Sequence, residues 1–234
     1  MSEDDLIGHL SALQLADSAF PSGRYTLSYG LETAAENRQL TAEMLTGLLS
    51  DTVRLAVAPS DGVALACAHR AVGADGSVDG DLVRRADERL TAVKLAREAR
   101  EASTRTGRAL LRTASGIAAR QPIRDYAARV DDGRAPGNHA VVLGLVSAVL
   151  GVPRLTAVAG DLYAFCAGWV AAAVRLGAID HRIAQRVLHD VRGVTARAAQ
   201  LSVDGDVTRI ASCSPFLDVM SMRHEQAELR LFAS

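Results

Sequence analysis

Apolar positions along the chain recur at three- and four-residue intervals, the spacing that gathers them on one face of a helix. Leu6, Leu10 and Leu13, with Ile7 beside them, predict a first helix over Leu6 to Ala16, and Leu27 to Asn37 reads as a second. Thr41, followed by Glu43 and Met44, caps a helix to about Ala56; Pro59-Ser60-Asp61 then closes that segment and caps Gly62 to Ala71. Gly73 to Gly80 is polar and rich in Gly and Asp, the best candidate for a mobile surface connection. Leu82, Ala86, Leu90 and Val93 trace the seam of a basic amphipathic helix from Asp81 through Arg100, and another runs from Ser103 to Ala119.

Pro122 begins a short helix, and Asp131 to Gly137 is a loop with Asn138 as the next cap. Ala140 to Leu150 is so uniformly apolar that it predicts the central buried helix, stopped by Gly151-Val152-Pro153. Thr156 to Leu176 follows, its Ala and Gly residues allowing close approach around Phe165 and Trp169, and Asp180 caps a last long helix to about Leu201. No apolar run reaches membrane-spanning length; Ala140 to Gly151 and Leu162 to Val174 fall short. Of 234 residues 49% are hydrophobic but only 4% aromatic, so the core must be built from Ala, Leu and Val. Ala and Leu are strong helix formers. The expectation is an all-α, single-domain bundle of about nine to ten helices over residues 1–234.

Charge and cysteines narrow the function. The net charge of −1 argues against a dedicated nucleic-acid binder. Residues 1–61 hold nine acids against three bases, a net of −6, and residues 82–129 hold twelve bases against five acids, a net of +7. Such asymmetry fits a protein-docking face, and also the opposing surfaces of one bundle. The basic stretch interleaves Glu88, Glu98 and Glu101 and lacks aromatics for base stacking, so it reads as a solvated helix face. Cys67, Cys166 and Cys213 sit in apolar surroundings and suggest buried thiols in a reducing cytoplasm. The acidic start, Ser2 to Asp5, is unlike a signal peptide. No phosphate loop, His-Glu-x-x-His or paired-cysteine spacing is present, so neither a catalytic centre nor a metal or cofactor site is predicted.

Two stretches are chemically denser than connectors need to be. Leu13 to Glu32 contains Asp17-Ser18-Ala19-Phe20-Pro21-Ser22-Gly23 and then Ser28-Tyr29-Gly30-Leu31-Glu32. Asp17 and Ser18 can accept backbone N–H groups, Phe20 is an apolar anchor, Pro21 extends the residue before it, and Gly23 permits an unusual backbone angle. The end of the chain reads Pro215-Phe216-Leu217-Asp218-Val219-Met220-Ser221-Met222-Arg223-His224-Glu225, then Leu229-Arg230-Leu231-Phe232-Ala233-Ser234. Neighbours on a helix point about 100° apart, so His224 and Glu225 do not form a direct pair. Met222 and Leu229 are expected to dock an apolar seam, leaving Arg223, His224, Glu225 and Arg230 to meet a partner or cap a neighbouring element. A simple last helix packed on its own bundle is the equal alternative.

These two stretches, with Thr106 to Leu111 between them, resemble the signatures of the UreF family of urease accessory proteins. Arg24 stands where the family commonly has a second glycine, Leu27 where it has a histidine, and Glu228-Leu229 where it has Tyr-Ser. The resemblance implies a non-catalytic, cytoplasmic chaperone for nickel insertion. It implies a homodimer that bridges the UreD/UreH scaffold and the GTPase UreG and delivers nickel to apo-urease. Carried over residue by residue, it assigns partner contacts to Asp17, Phe20, Pro21, Tyr29, Glu32, Arg223, His224, Glu225 and Arg230, with 214–234 as the partner-binding tail. The alternatives are a UreF homologue that has drifted from urease, and a helical ligand-binding protein with Trp169 and Tyr163 in its pocket.

Overall fold

The computed structural model describes residues 2–36, 40–225 and 232. Among them there are α-helices and no strands: α1 (Glu3–Ala16), α2 (Leu31–Glu36), α3 (Ala42–Thr52), α4 (Val63–Arg70), α5 (Gly80–Val93) and α6 (Arg97–Ile117) come first. Then follow α7 (Gln121–Asp131), α8 (His139–Val149), α9 (Arg154–Arg175), α10 (His181–Asp190), α11 (Arg192–Val203) and α12 (Pro215–His224). A π-helical segment, Val53–Gly62, joins α3 to α4 in one rod, which leaves eleven separate helices, slightly more than the sequence predicts.

The centre is α8, buried from His139 to Ser147 as its uniform hydrophobicity requires. Two glycines let backbones meet there. A Cβ at Gly144 would collide with the Leu65 carbonyl of α4, and one at Gly107 with the Gly137 carbonyl before α8. Trp169 is fully buried in the core while Tyr163 is 48% exposed, so the two do not form a common pocket. Buried Asp87 ties the loop before α8 to α5: its carboxylate accepts from the Gly137 and Asn138 N–H groups (2.9 and 3.0 Å), the Asn138 amide and the Tyr126 hydroxyl.

Several boundaries differ from the sequence reading. Helix α2 begins at Leu31 rather than Leu27, because Tyr29 and Gly30 take left-handed angles (φ 52° and 81°) that a helix cannot include. The helix expected from Asp81 through Arg100 stops at Val93; Lys94 reaches Asp61, and Arg100 donates to the freed Lys94 and Leu95 carbonyls. The single helix expected from Asp180 to Leu201 is divided at Val191. Gly73 to Gly80 folds into a tight turn, with an isolated bridge between Val72 and Val78 and Asp75 accepting from Ser77.

Exposure also corrects expectation. In α1 it is Gly8, Ala12 and Leu15 that face the bundle, while Leu6, Ile7, Leu10 and Leu13 are exposed; a Cβ at Gly8 would lie 2.5 Å from the Gly151 carbonyl oxygen. Cys67 and Cys166 are buried as expected, but Cys213 is exposed. Helix α9, at 22 residues, is long and apolar enough to cross a bilayer, contrary to the sequence estimate. It is a core helix here: its most apolar window is 56% buried, and it carries Asp161 inside the fold.

Candidate functional site

The two dense stretches of the sequence meet. Asp17 ends α1 and folds the turn on itself: its carboxylate accepts from Ala19, and its carbonyl from Phe20. Phe20 is drawn into the core, whereas Asp17 and Pro21 remain on the surface. The chain then passes through Gly23 (φ 78°) and a short 3-10 turn, Arg24–Thr26, into Tyr29, whose ring packs on Phe165 with centroids 4.8 Å apart. Gly30 leaves the room that α12 occupies, since a Cβ there would press on Met220 and Ser221 at 3.1–3.2 Å.

The π-helical segment brings the chain end to this turn. Pro59 was expected to end its helix, because it has no N–H and its ring crowds the preceding turn. Instead the helix widens around it, as π segments do, and carbonyls of the widened segment also accept from outside the helix. Ser202 and the incoming chain end take them: Ala58 accepts from the Ser202 hydroxyl (2.8 Å), Pro59 from the Ala211 N–H (3.1 Å) and Leu55 from the Cys213 N–H (2.9 Å). Residues 211–213 are thereby strung along the rod, and α12 starts beside the turn.

Helix α12 is held from its polar side. His224, 1% exposed, places Nε2 3.0 Å from a Glu32 oxygen and Nδ1 2.9 Å from a Glu98 oxygen. A histidine between two carboxylates satisfies both only with a proton on each nitrogen, or with one proton held on a carboxyl. Glu32 also accepts the Phe232 N–H (3.2 Å), and the Phe232 ring lies over the Arg175 guanidinium (4.7 Å), which Tyr25 covers from the turn (4.1 Å). Helix α6 has no side-chain cap of its own, and Glu225 supplies one by accepting from the Glu98 N–H (3.2 Å) beside Arg97. Burial opposes charge on Glu225, but that N–H and Arg97 outweigh it and hold the carboxyl below the usual range.

Of the residues singled out in the sequence, Tyr29, Glu32, His224 and Glu225 come together. Phe20, Glu32 and His224 are buried, so they shape the surface from within rather than form it. Arg223 is exposed, Asp17 and Pro21 stand apart on the turn, and Arg230 lies outside the described residues. The expectation for Met222 is reversed: it is 42% exposed and Leu217 takes the inner position, while Leu229 lies outside the described residues. The reason is that the inner face of α12 is committed to His224 and to the small contact at Gly30.

A cavity of about 140 Å³ lies between the turn, the π segment, α6, α9 and α12. Its wall contains two ion pairs that sequence reasoning missed. Arg24 meets Asp161 (2.5 Å) and His139 Nε2 (3.2 Å), and Lys94 meets both Asp61 oxygens (2.8 and 3.0 Å). Burial opposes charge on Arg24, but Asp161 and Tyr29 outweigh it and hold the guanidinium protonated; burial lifts the Asp161 carboxyl, and Arg24 draws it back. His139 is kept neutral, well below its ordinary pKa, by burial and then by Arg24. With Nε2 accepting from the guanidinium, its proton sits on Nδ1, which completes no hydrogen bond although the Thr106 carbonyl lies on that side. One signal was there to read: Asp161 is the sole acid of its apolar helix. Among the described residues, no three His, Cys, Asp or Glu side chains are grouped to hold a metal.

The family model described as UreF matches residues 40–192, the bundle between the two dense stretches. Relatives extend the likeness to almost the whole chain. "Urease accessory protein UreF" of Trichodesmium erythraeum (strain IMS101) is 31% identical over all of both chains. The protein of the same name from Arthrobacter sp. (strain FB24) is 32% identical over 96% of each. "Urease accessory protein UreF 2" of Brucella canis is 30% identical over 97% of this chain and 92% of its own. The chain belongs to the UreF family of urease accessory proteins.

Proposed function

We propose that this chain is a non-catalytic scaffold for urease maturation, one that joins a UreD/UreH-type protein to the GTPase UreG while nickel, the cargo, passes to apo-urease. The observation that supports it is the orientation of α12. Its polar His224 is turned inward, and Phe216, Val219 and Met222, spaced three apart, are turned to solvent at 36–45% exposure. A helix that buries its polar residue and exposes its apolar stripe lacks a partner for that stripe. Arg223 borders it. Asp17 and Pro21 on the turn extend the contact, while Phe20, Tyr29, Glu32, His224 and Glu225 hold it in place. A homodimer working in the cytoplasm is part of the same reading, by family membership.

UreG-type GTPases would be favoured in one nucleotide state, since a scaffold shifts an equilibrium only by binding two states unequally. The test is co-purification. Val219→Asp with Met222→Asp leaves helical content unchanged and lowers recovery of the UreD/UreH partner at least tenfold, with a matching fall in urease nickel. Full recovery of both partners by this variant, or GTP hydrolysis by the purified chain alone, overturns the reading.

A further inference from the structure

We infer that the cavity beside α12 binds a small organic cation, an ammonium or guanidinium head carried on an apolar body. Charge is the first reason. Asp61, Asp161 and Asp218 border the cavity against only Arg24 and Lys94, and the remaining acid there, Glu98, is engaged by His224. One carboxylate is in surplus, and it is identifiable. Asp61 is held by Lys94 and Asp161 by Arg24, whereas the Asp218 side chain makes no hydrogen bond among the described residues. Burial pushes its carboxyl up, with Lys94 the cation that opposes this.

Hydrogen bonding is the second reason. The hydroxyls of Ser212, Ser214 and Ser221 line the same side and make no hydrogen bond among the described residues. Acceptors clustered round a carboxylate suit a head group with several N–H donors. The lining also holds apolar side chains, Leu27, Leu217 and the Phe165 ring, and so suits a hydrocarbon body. A cavity of about 140 Å³ is close to the roughly 150 Å³ that encloses benzene, so the ligand has about six to eight heavy atoms. A bound metal fits poorly, because Asp61 and Asp161 are already paired and no third ligand converges with Asp218 among the described residues.

Titration calorimetry on the full chain, with benzylammonium chloride as the probe, tests this. Saturable one-site binding is expected, at least tenfold tighter than benzyl alcohol. Asp218→Asn weakens benzylammonium at least tenfold, and Ala99→Leu, which fills the cavity, abolishes binding. Circular dichroism and thermal melting confirm that each variant is folded. Equal affinity for the alcohol, binding unaffected by Ala99→Leu, or no saturable binding to the folded wild type overturns the inference. Nickel chloride competing for the site with the same dependence on Asp218 also overturns it, in favour of a metal.

Discussion

Replacing His224 by alanine should release α12 while leaving the bundle folded. The substitution deletes contacts of 2.9 and 3.0 Å to two buried carboxylates and leaves Glu98 and Glu32 without the imidazole between them. Hydrogen bonds to charged groups contribute about 1.5–3 kcal/mol each. Removing one partner of a buried pair costs about 3–5 kcal/mol. Against that, the apolar hold on α12 is small: Leu217 is its one buried apolar side chain, worth about 1.5–3 kcal/mol. The cost therefore exceeds what keeps the helix docked, and the cheapest relief is local opening, which lets both carboxylates reach water. Global destabilisation is then capped near the docking energy, which for a chain of this size is a melting-point drop of less than about 10 °C. Hydrogen exchange read by mass spectrometry is the deciding assay. Amides of 216–224 should lose at least about 100-fold in protection, equivalent to roughly 2.8 kcal/mol, while α8 stays protected. Unchanged exchange in α12, or protection lost evenly across the bundle, would refute the reasoning.

Two other outcomes follow from the packing and the buried charges. Gly107→Ala forces a Cβ onto the Gly137 carbonyl, which is backbone and cannot swing aside, so α6 and α8 must separate. A loss of about 1–3 kcal/mol in chemical denaturation is expected, and a neutral result would disprove the close approach. Buried His139, and to a lesser extent His69, have pKa values below the ordinary histidine value of about 6.5. The unfolded chain therefore takes up protons that the folded chain refuses, and stability falls as pH drops below about 6.5. The slope approaches about 1.4 kcal/mol per pH unit for each histidine, and His139→Gln should flatten the denaturation midpoint between pH 5 and 6.5.

Much of the bundle was legible because its signals are local. The unbroken apolar run of α8, the Asp180 and Thr41 caps and the Ala/Leu-rich core need only neighbours in sequence to be recognised. What was not legible depends on distant groups. Pro59 reads as a stop until Ala211 and Cys213 are seen taking the carbonyls of the widened helix. The break at Lys94 follows from Asp61, 33 residues away. His224 and Glu225 do engage neighbouring elements, one of the two roles the sequence left open. The groups they meet, Glu98 and Glu32, lie on other helices and could not be named from α12 alone, and Met222 was turned the wrong way for the same reason. The α1 seam was misplaced because Gly8 permits a backbone contact that a tally of leucines does not weigh.

The bond between Glu32 and His224 spans 192 residues of chain. Closing so long a loop is entropically slow but adds only about 0.6 kcal/mol for each doubling of length. During synthesis the turn emerges early and waits, half-built, until His224 has been made 192 residues later. Helix α12 is thus seated only after the bundle beneath it has been made, and a chain cut short before it keeps the turn but loses the hold of His224.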